Sequence, residues 1–127
     1  MRRIVVDIQN SLFADAIVQT LRRFDPSFDV YLSESPDNTL EVCQMANANV
    51  LVMEVSSFFP WQFDKRILLK DAVKSELPDC KIVFIVDENS EKKTAEKVRQ
   101  AKKDKLIDQF IYGSVSASYL AAIIDTL

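Results

Sequence analysis

Two carboxylates close apolar runs in this chain. Ile4, Val5 and Val6 lead to Asp7, and Val50, Leu51, Val52 and Met53 lead to Glu54. An acid at the end of a buried strand is a candidate for chemistry, because ligands of open α/β sheets bind in the crevice outside the strands' carboxyl ends. The partners that most chemistries of that kind need are scarce. Dinucleotide and P-loop sites need glycines so that backbone amides can approach phosphates, and this chain has one glycine, Gly113, far from the first apolar run. There is no histidine, which removes triad hydrolysis and leaves zinc without a usual ligand. Cys43 and Cys80 form no short metal-type pair and read as reduced packing residues. Neither a flavin-phosphate loop nor a cysteine phosphocarrier matches Ile8-Gln9-Asn10-Ser11, which holds neither glycine nor thiol.

The elements that must position these acids alternate along the chain. A strand is expected over Arg3 to Ile8, with a helix capped by Asn10 or Ser11 whose Phe13, Ile17, Leu21 and Phe24 share one face. Asp25-Pro26-Ser27 ends that helix, and a second strand covers Phe28 to Ser33. Ser35-Pro36-Asp37 opens a second helix with Leu40, Cys43 and Ala46 or Met45 inward. The third strand, Asn49 to Val55, is almost wholly apolar and reads as central. A third helix follows at Asp64 to Glu76, a fourth strand at Lys81 to Val86, and a charged helix from Ser90 to Lys105. Ile107 to Tyr112 is the fifth strand. Leu120, Ile123, Ile124 and Leu127 give the last helix its apolar face.

Five alternations of strand and helix predict a doubly wound five-stranded parallel sheet of flavodoxin-like order 2-1-3-4-5, with its crevice at the ends of strands 1 and 3. At 127 residues the chain suits a single domain. Its net charge of −3 gives no global reason to expect nucleic-acid binding, and no apolar stretch is long enough to span a membrane. A cytoplasmic protein is expected.

Over nearly its whole length the chain resembles the receiver domain of two-component response regulators. Ile8-Gln9-Asn10-Ser11-Leu12-Phe13 resembles the family's acidic segment after strand 1, and Val50 to Val55 its strand ending in the phosphoacceptor aspartate. Val86 falls where the family has a hydroxyl residue, and Phe110 to Val115 resembles the segment ending in lysine-proline. The resemblance places Glu54 at the phosphoacceptor position and Ile8 and Gln9, or Asp7 with an insertion, at the magnesium-binding acidic pair. It places Val86, Phe110 and Gly113 at the switch hydroxyl, the switch aromatic and the lysine. Most of these positions have lost the needed group, so the resemblance implies a pseudo-receiver: no enzyme, no metal, no cofactor, acting through protein partners. It also implies homodimerisation through the last helix and a neighbour, either the first helix or the fourth helix and fifth strand, and transcription control through a DNA-binding domain outside these residues. Glu54 is then either a mimic of the phosphorylated state or a solvated strand-end acid.

Two rival readings remain open. One is a magnesium-dependent phosphoacceptor built from Asp7 and Glu54; the other is a small-molecule sensor. Phe58, Phe59, Trp61 and Phe63 form a candidate interaction loop. It is expected to fold over the crevice as a lid, since four aromatics in water would form a large apolar patch. The lysine-rich fourth helix is expected to be a solvated face, with an acidic partner or a phosphate backbone as the alternative.

Overall fold

The computed structural model describes residues 2–127. Its strands are β1 (Arg3–Asp7), β2 (Asp29–Leu32), β3 (Val50–Val55), β4 (Lys81–Val86) and β5 (Gln109–Tyr112). They alternate with helices α1 (Ser11–Phe24), α2 (Thr39–Ala46), α3 (Phe63–Glu76), α4 (Lys92–Lys103) and α5 (Ala117–Asp125). The strands form one parallel sheet in the order β2-β1-β3-β4-β5, as the alternation predicts. Val5, Val52, Phe84 and Ile111, at the centres of their strands, are all buried.

Side chains of a strand alternate between faces, and here the alternation divides two apolar layers. Ile4, Val6, Val50, Val52, Val83 and Ile85 pack with α1 and α5. Val5, Leu51, Met53, Val55, Ile82, Phe84 and Val86 pack with residues of α2, α3 and α4. In α1, Asn10 is the cap, its Oδ1 accepting from the Phe13 N–H at 3.0 Å. The buried stripe of that helix is Ala14, Ile17, Val18 and Leu21, with Phe24 partly exposed at its end and stacked on Phe28. In α2, Cys43 and Ala46 face inward and Met45 is exposed.

Two helices differ from expectation in ways that matter. In α3 the buried residues are Arg66, Lys70 and Val73, spaced four and three apart, while the apolar Leu68 points outward. The inner face of that helix is therefore half polar. In α5, Leu120, Ala121 and Ile124 are buried, and Ile123 and Leu127 also pack against the α1/α5 layer. The apolar row that motivated dimerisation through the last helix is thus largely satisfied within the chain.

Candidate functional site: a carboxylate closed by an internal cation

The end of β1 and the end of β3 lie side by side, but their acids face opposite ways. Asp7 is level with Met53 in the parallel register and shares the face of Val5, toward α2 and α3. Glu54 continues the row of Val50 and Val52, toward α1. One residue of register, with a period of two, separates the pair.

Asp7 is 1% exposed and fully engaged. Arg66, equally buried, donates from Nη1 to Asp7 Oδ2 at 2.7 Å and from Nη2 to Oδ1 at 3.2 Å, a fork on fork. The same guanidinium donates to the Asp7 carbonyl at 3.3 Å, and through Nε to the Glu54 carbonyl at 2.7 Å. Thr39, buried at the start of α2, donates its hydroxyl to Asp7 Oδ2 at 2.6 Å and lies 2.8 Å from the Ser33 hydroxyl. Five segments thus meet on one ion pair: β1, the β2–α2 loop, α2, β3 and α3. A buried ion pair holds only when its other polar atoms are also engaged, and here each nitrogen of the guanidinium and each oxygen of the carboxylate has at least one partner.

Glu54 is only half-buried. Its Oε1 accepts the Gln9 backbone N–H at 2.7 Å. Burial pushes its carboxyl above the usual glutamate value, opposed by the Gln9 hydrogen bond and the charge of Arg66. It lines an open hollow of about 260 Å³ with Asn10, Phe13, Ile85, Asp87 and Gly113. Asp87 accepts the N–H groups of Asn89 at 2.9 Å and Ser90 at 3.3 Å. Those bonds, the Asn89 one first, hold its carboxyl below the usual aspartate range.

A magnesium ion does not fit these residues. It demands several oxygen ligands in near-octahedral array, and the Asp7 carboxylate is already taken by a guanidinium and a hydroxyl. Extending the strand register by one residue puts Ile8, an apolar core residue, level with Glu54. Gln9 contributes its backbone N–H, a donor that repels a cation. Among the described residues no group of three or more acids, cysteines or histidines is placed to hold a metal. The magnesium-dependent reading built on Asp7 and Glu54 therefore loses its ligand set.

Of the other residues that the resemblance marks, Val86 is wholly buried in the core. Phe110 is partly buried, edge-on to Tyr112 with ring centres 5.6 Å apart. The Gly113 N–H donates to the Val86 carbonyl at 2.8 Å. Its backbone lies outside the left-handed region, and an added Cβ would meet nothing closer than 3.8 Å, so the glycine answers no steric demand.

The aromatic loop is not the expected lid. Phe58 and Phe59 are 62% and 71% exposed, and Lys65 lies 5.7 Å from the Phe59 ring centre. Trp61 is half-buried, while Phe63 begins α3 and meets Phe84 edge-on at 6.4 Å. Backbone bonds between Ser56 and Trp61 and between Trp61 and Phe58 close a tight turn that carries the two rings outward. What covers the crevice side of Asp7 is Arg66. Nothing in the spacing of apolar residues marked it, because the long stem of an arginine can occupy an inward position that an apolar search leaves blank. The available signal was the stripe Arg66, Lys70 and Val73.

No protein-family model matches the sequence, and no curated protein matches it. Solved structures do. A CheY-like response regulator receiver domain protein from Methanospirillum hungatei superposes with a TM-score of 0.78 at 13% identity, over 99% of this chain and 92% of that one. A DNA-binding response regulator of the LuxR family from Staphylococcus aureus gives 0.76 at 12% identity, over 99% and 98%. A streptococcal protein, described within a family of redox sensors evolved from two-component response regulators, gives 0.79 at 13% identity. That match covers 99% of this chain but 50% of the other. The fold is the response-regulator receiver fold, and at these identities the likeness is one of fold.

Proposed function

We propose that this domain is a pseudo-receiver: a signal-transduction module that works by contact with protein partners and is not switched by phosphorylation of a carboxylate. The observation that carries the reading is the Arg66 guanidinium, which lies across Asp7 and the Glu54 carbonyl as a cation that cannot leave. Phosphoryl transfer to a carboxylate relies on an exchangeable metal and a mobile cation to stabilise charge on the transferring oxygens. In this chain the internal cation is spent on Asp7, Gly113 stands at the lysine position, and Val86 offers no hydroxyl. Glu54 carries its charge beside a backbone N–H, without a cation on its carboxylate, which favours a passive strand-end acid over a mimic of the phosphorylated state.

The domain has no catalytic role in this reading. It acts in the cytoplasm, with partner binding, self-association or abundance setting its output. Homodimerisation would use α5 together with β5, at the apolar hollow of about 340 Å³ lined by Phe110, Ile111, Tyr112, Val115 and Tyr119, since the inward apolar row of α5 already packs with α1. Transcription control, through a DNA-binding domain outside these residues, is supported by the likeness to the DNA-binding response regulator from Staphylococcus aureus. Redox control through the two thiols is disfavoured. Cys43 and Cys80 are buried, and burial pushes their pKa values up to about 12 and about 11, which keeps both as unreactive thiols.

The test is to add Mg²⁺ with a small phosphodonor, or with beryllofluoride, and follow amide NMR shifts and intact mass. The spectrum and the mass should stay unchanged. Saturable shifts centred on Glu54 and Asp7, or a stable phosphoryl mass increment, would overturn the reading.

A further inference from the structure

The positive charge of this protein is concentrated on one helix. Residues 92–105 hold seven lysines and arginines against Glu96 and Asp104, so they carry +5 while the rest of the chain carries −8. Among the described residues only Arg99 of these cations is ion-paired, with Glu96; Arg99 also donates to the Tyr112 hydroxyl at 3.0 Å. Lys92, Lys93, Lys97, Lys103 and Lys105 are exposed, with no carboxylate within ion-pair distance. A solvated helix laced by i,i+4 pairs would have used its acids more evenly.

Beside this helix runs an apolar groove of about 220 Å³, lined by Phe63, Lys97, Gln100, Ala101, Asp104 and Leu106. Its far wall is built by the way α4 ends. Lys105 takes a left-handed conformation with φ 61°, and the N–H groups of Leu106 and Lys105 donate to the carbonyls of Ala101 and Lys102. That is a Schellman closure, which sets the residue after the left-handed position against the last turn of the helix. Leu106 is thereby fixed at the groove's rim, 43% exposed. The one acid of the groove, Asp104, already accepts from Gln100 Nε2 at 3.0 Å.

We propose that this groove between α3 and α4 docks an acidic, apolar-faced segment of a partner protein. Its apolar side chains lie on Phe63, Ala101 and Leu106, and its carboxylates face Lys97 and the lysines of the last turn of α4. Charge complementarity selects the sign of the partner, and the apolar floor selects a polypeptide, since a phosphate backbone has no apolar group to seat there. The proposal rests on the reading of the domain as a contact module and names one of its contact surfaces.

The experiment titrates the labelled protein with three probes under amide NMR at two salt concentrations. The first probe is a synthetic helix-forming peptide with leucines at i, i+3 and i+4 spacing and glutamates elsewhere. The second is a peptide of equal charge without leucine, and the third is duplex DNA. The leucine-bearing peptide should give saturable shifts confined to Phe63 and residues 97–106. Lys97→Glu with Lys103→Glu should weaken it at least about tenfold. Leu106→Ser should weaken it less, and Arg23→Glu with Lys81→Glu, an equal charge change at exposed residues elsewhere, not at all. Circular dichroism of each variant separates lost binding from lost folding. Absence of saturable shifts overturns the proposal. Equal binding of the leucine-free peptide, or DNA shifting the same amides, overturns it too. None of these outcomes bears on the phosphodonor test, so the two readings fail separately.

Discussion

Asp7 and Glu54 end adjacent strands of one sheet, and they differ in almost everything else. Asp7 sits on the α2/α3 face, wholly buried, with a guanidinium, a hydroxyl and satisfied geometry around it. Glu54 sits on the α1 face, half-buried, with one backbone N–H and a raised pKa. Two acids one register step apart cannot share a cation when the pleat sends them to opposite faces. The protein instead answers one acid completely with its own arginine and leaves the other to water. The Asp7–Arg66 pair is therefore part of the domain's framework, tying β1 to α3.

The comparison breaks most visibly at Arg66. Arg66→Met keeps the length of the side chain but strands a buried Asp7 carboxylate, and should cost about 3–5 kcal/mol in urea denaturation. Asp7→Asn combined with Arg66→Met should cost much less than the two single changes added together, because the charges leave as a pair. A loss under about 1 kcal/mol for Arg66→Met would mean that Asp7 is not held as described.

Thr39→Val is nearly isosteric and removes one donor from the same carboxylate. It should destabilise by about 1–3 kcal/mol, with the arginine fork intact. Urea denaturation of this variant alone and together with Arg66→Met would reveal strong non-additivity if the hydroxyl and the guanidinium act on one charge.

The smallest effect belongs to Glu54, and its sign is set by pH. Burial raises its pKa in the fold above the ordinary 4.5, so the folded chain holds this proton to higher pH than the unfolded chain. The stability that Glu54 contributes is therefore full below pH 4.5 and is lost as pH rises through the raised value. Glu54→Gln keeps an acceptor for the Gln9 N–H and lacks this penalty. Its stability relative to the parent should climb over that window and then level off. Denaturation midpoints of both proteins across pH check it, and a parent that gains on the variant as pH rises would reverse the assignment.

Most of the fold was legible in the residues. β-branched runs at Ile4–Val6 and Val50–Val52, proline breaks at Pro26 and Pro78, and the spacing of Ile17 and Leu21 each declare an element locally. Five such declarations in alternation leave few topologies open. The site was less legible. Asp7 and Glu54 stood out as strand-end acids, but the direction each faces depends on the relative register of β1 and β3. Arg66 was hidden because its neighbours Ile67, Leu68 and Leu69 advertise an apolar face that the helix does not present as a unit to the core. The aromatic loop misled for a related reason: local composition says that four rings want burial, yet the Ser56–Trp61 turn directs Phe58 and Phe59 away from the sheet.

By itself the sequence determined the strands, the helices, their order, and that Ile8, Gln9, Val86 and Gly113 bring neither an acid, a hydroxyl nor a lysine to the ends of the strands. These depend on local periodicity and on which side chains are present. Only the tertiary structure decided which carboxylate is neutralised and by what. A bidentate ion pair between residues 59 positions apart exists only when β1 and α3 pack to within hydrogen-bonding distance, and burial, not residue type, makes such a charge need its partner.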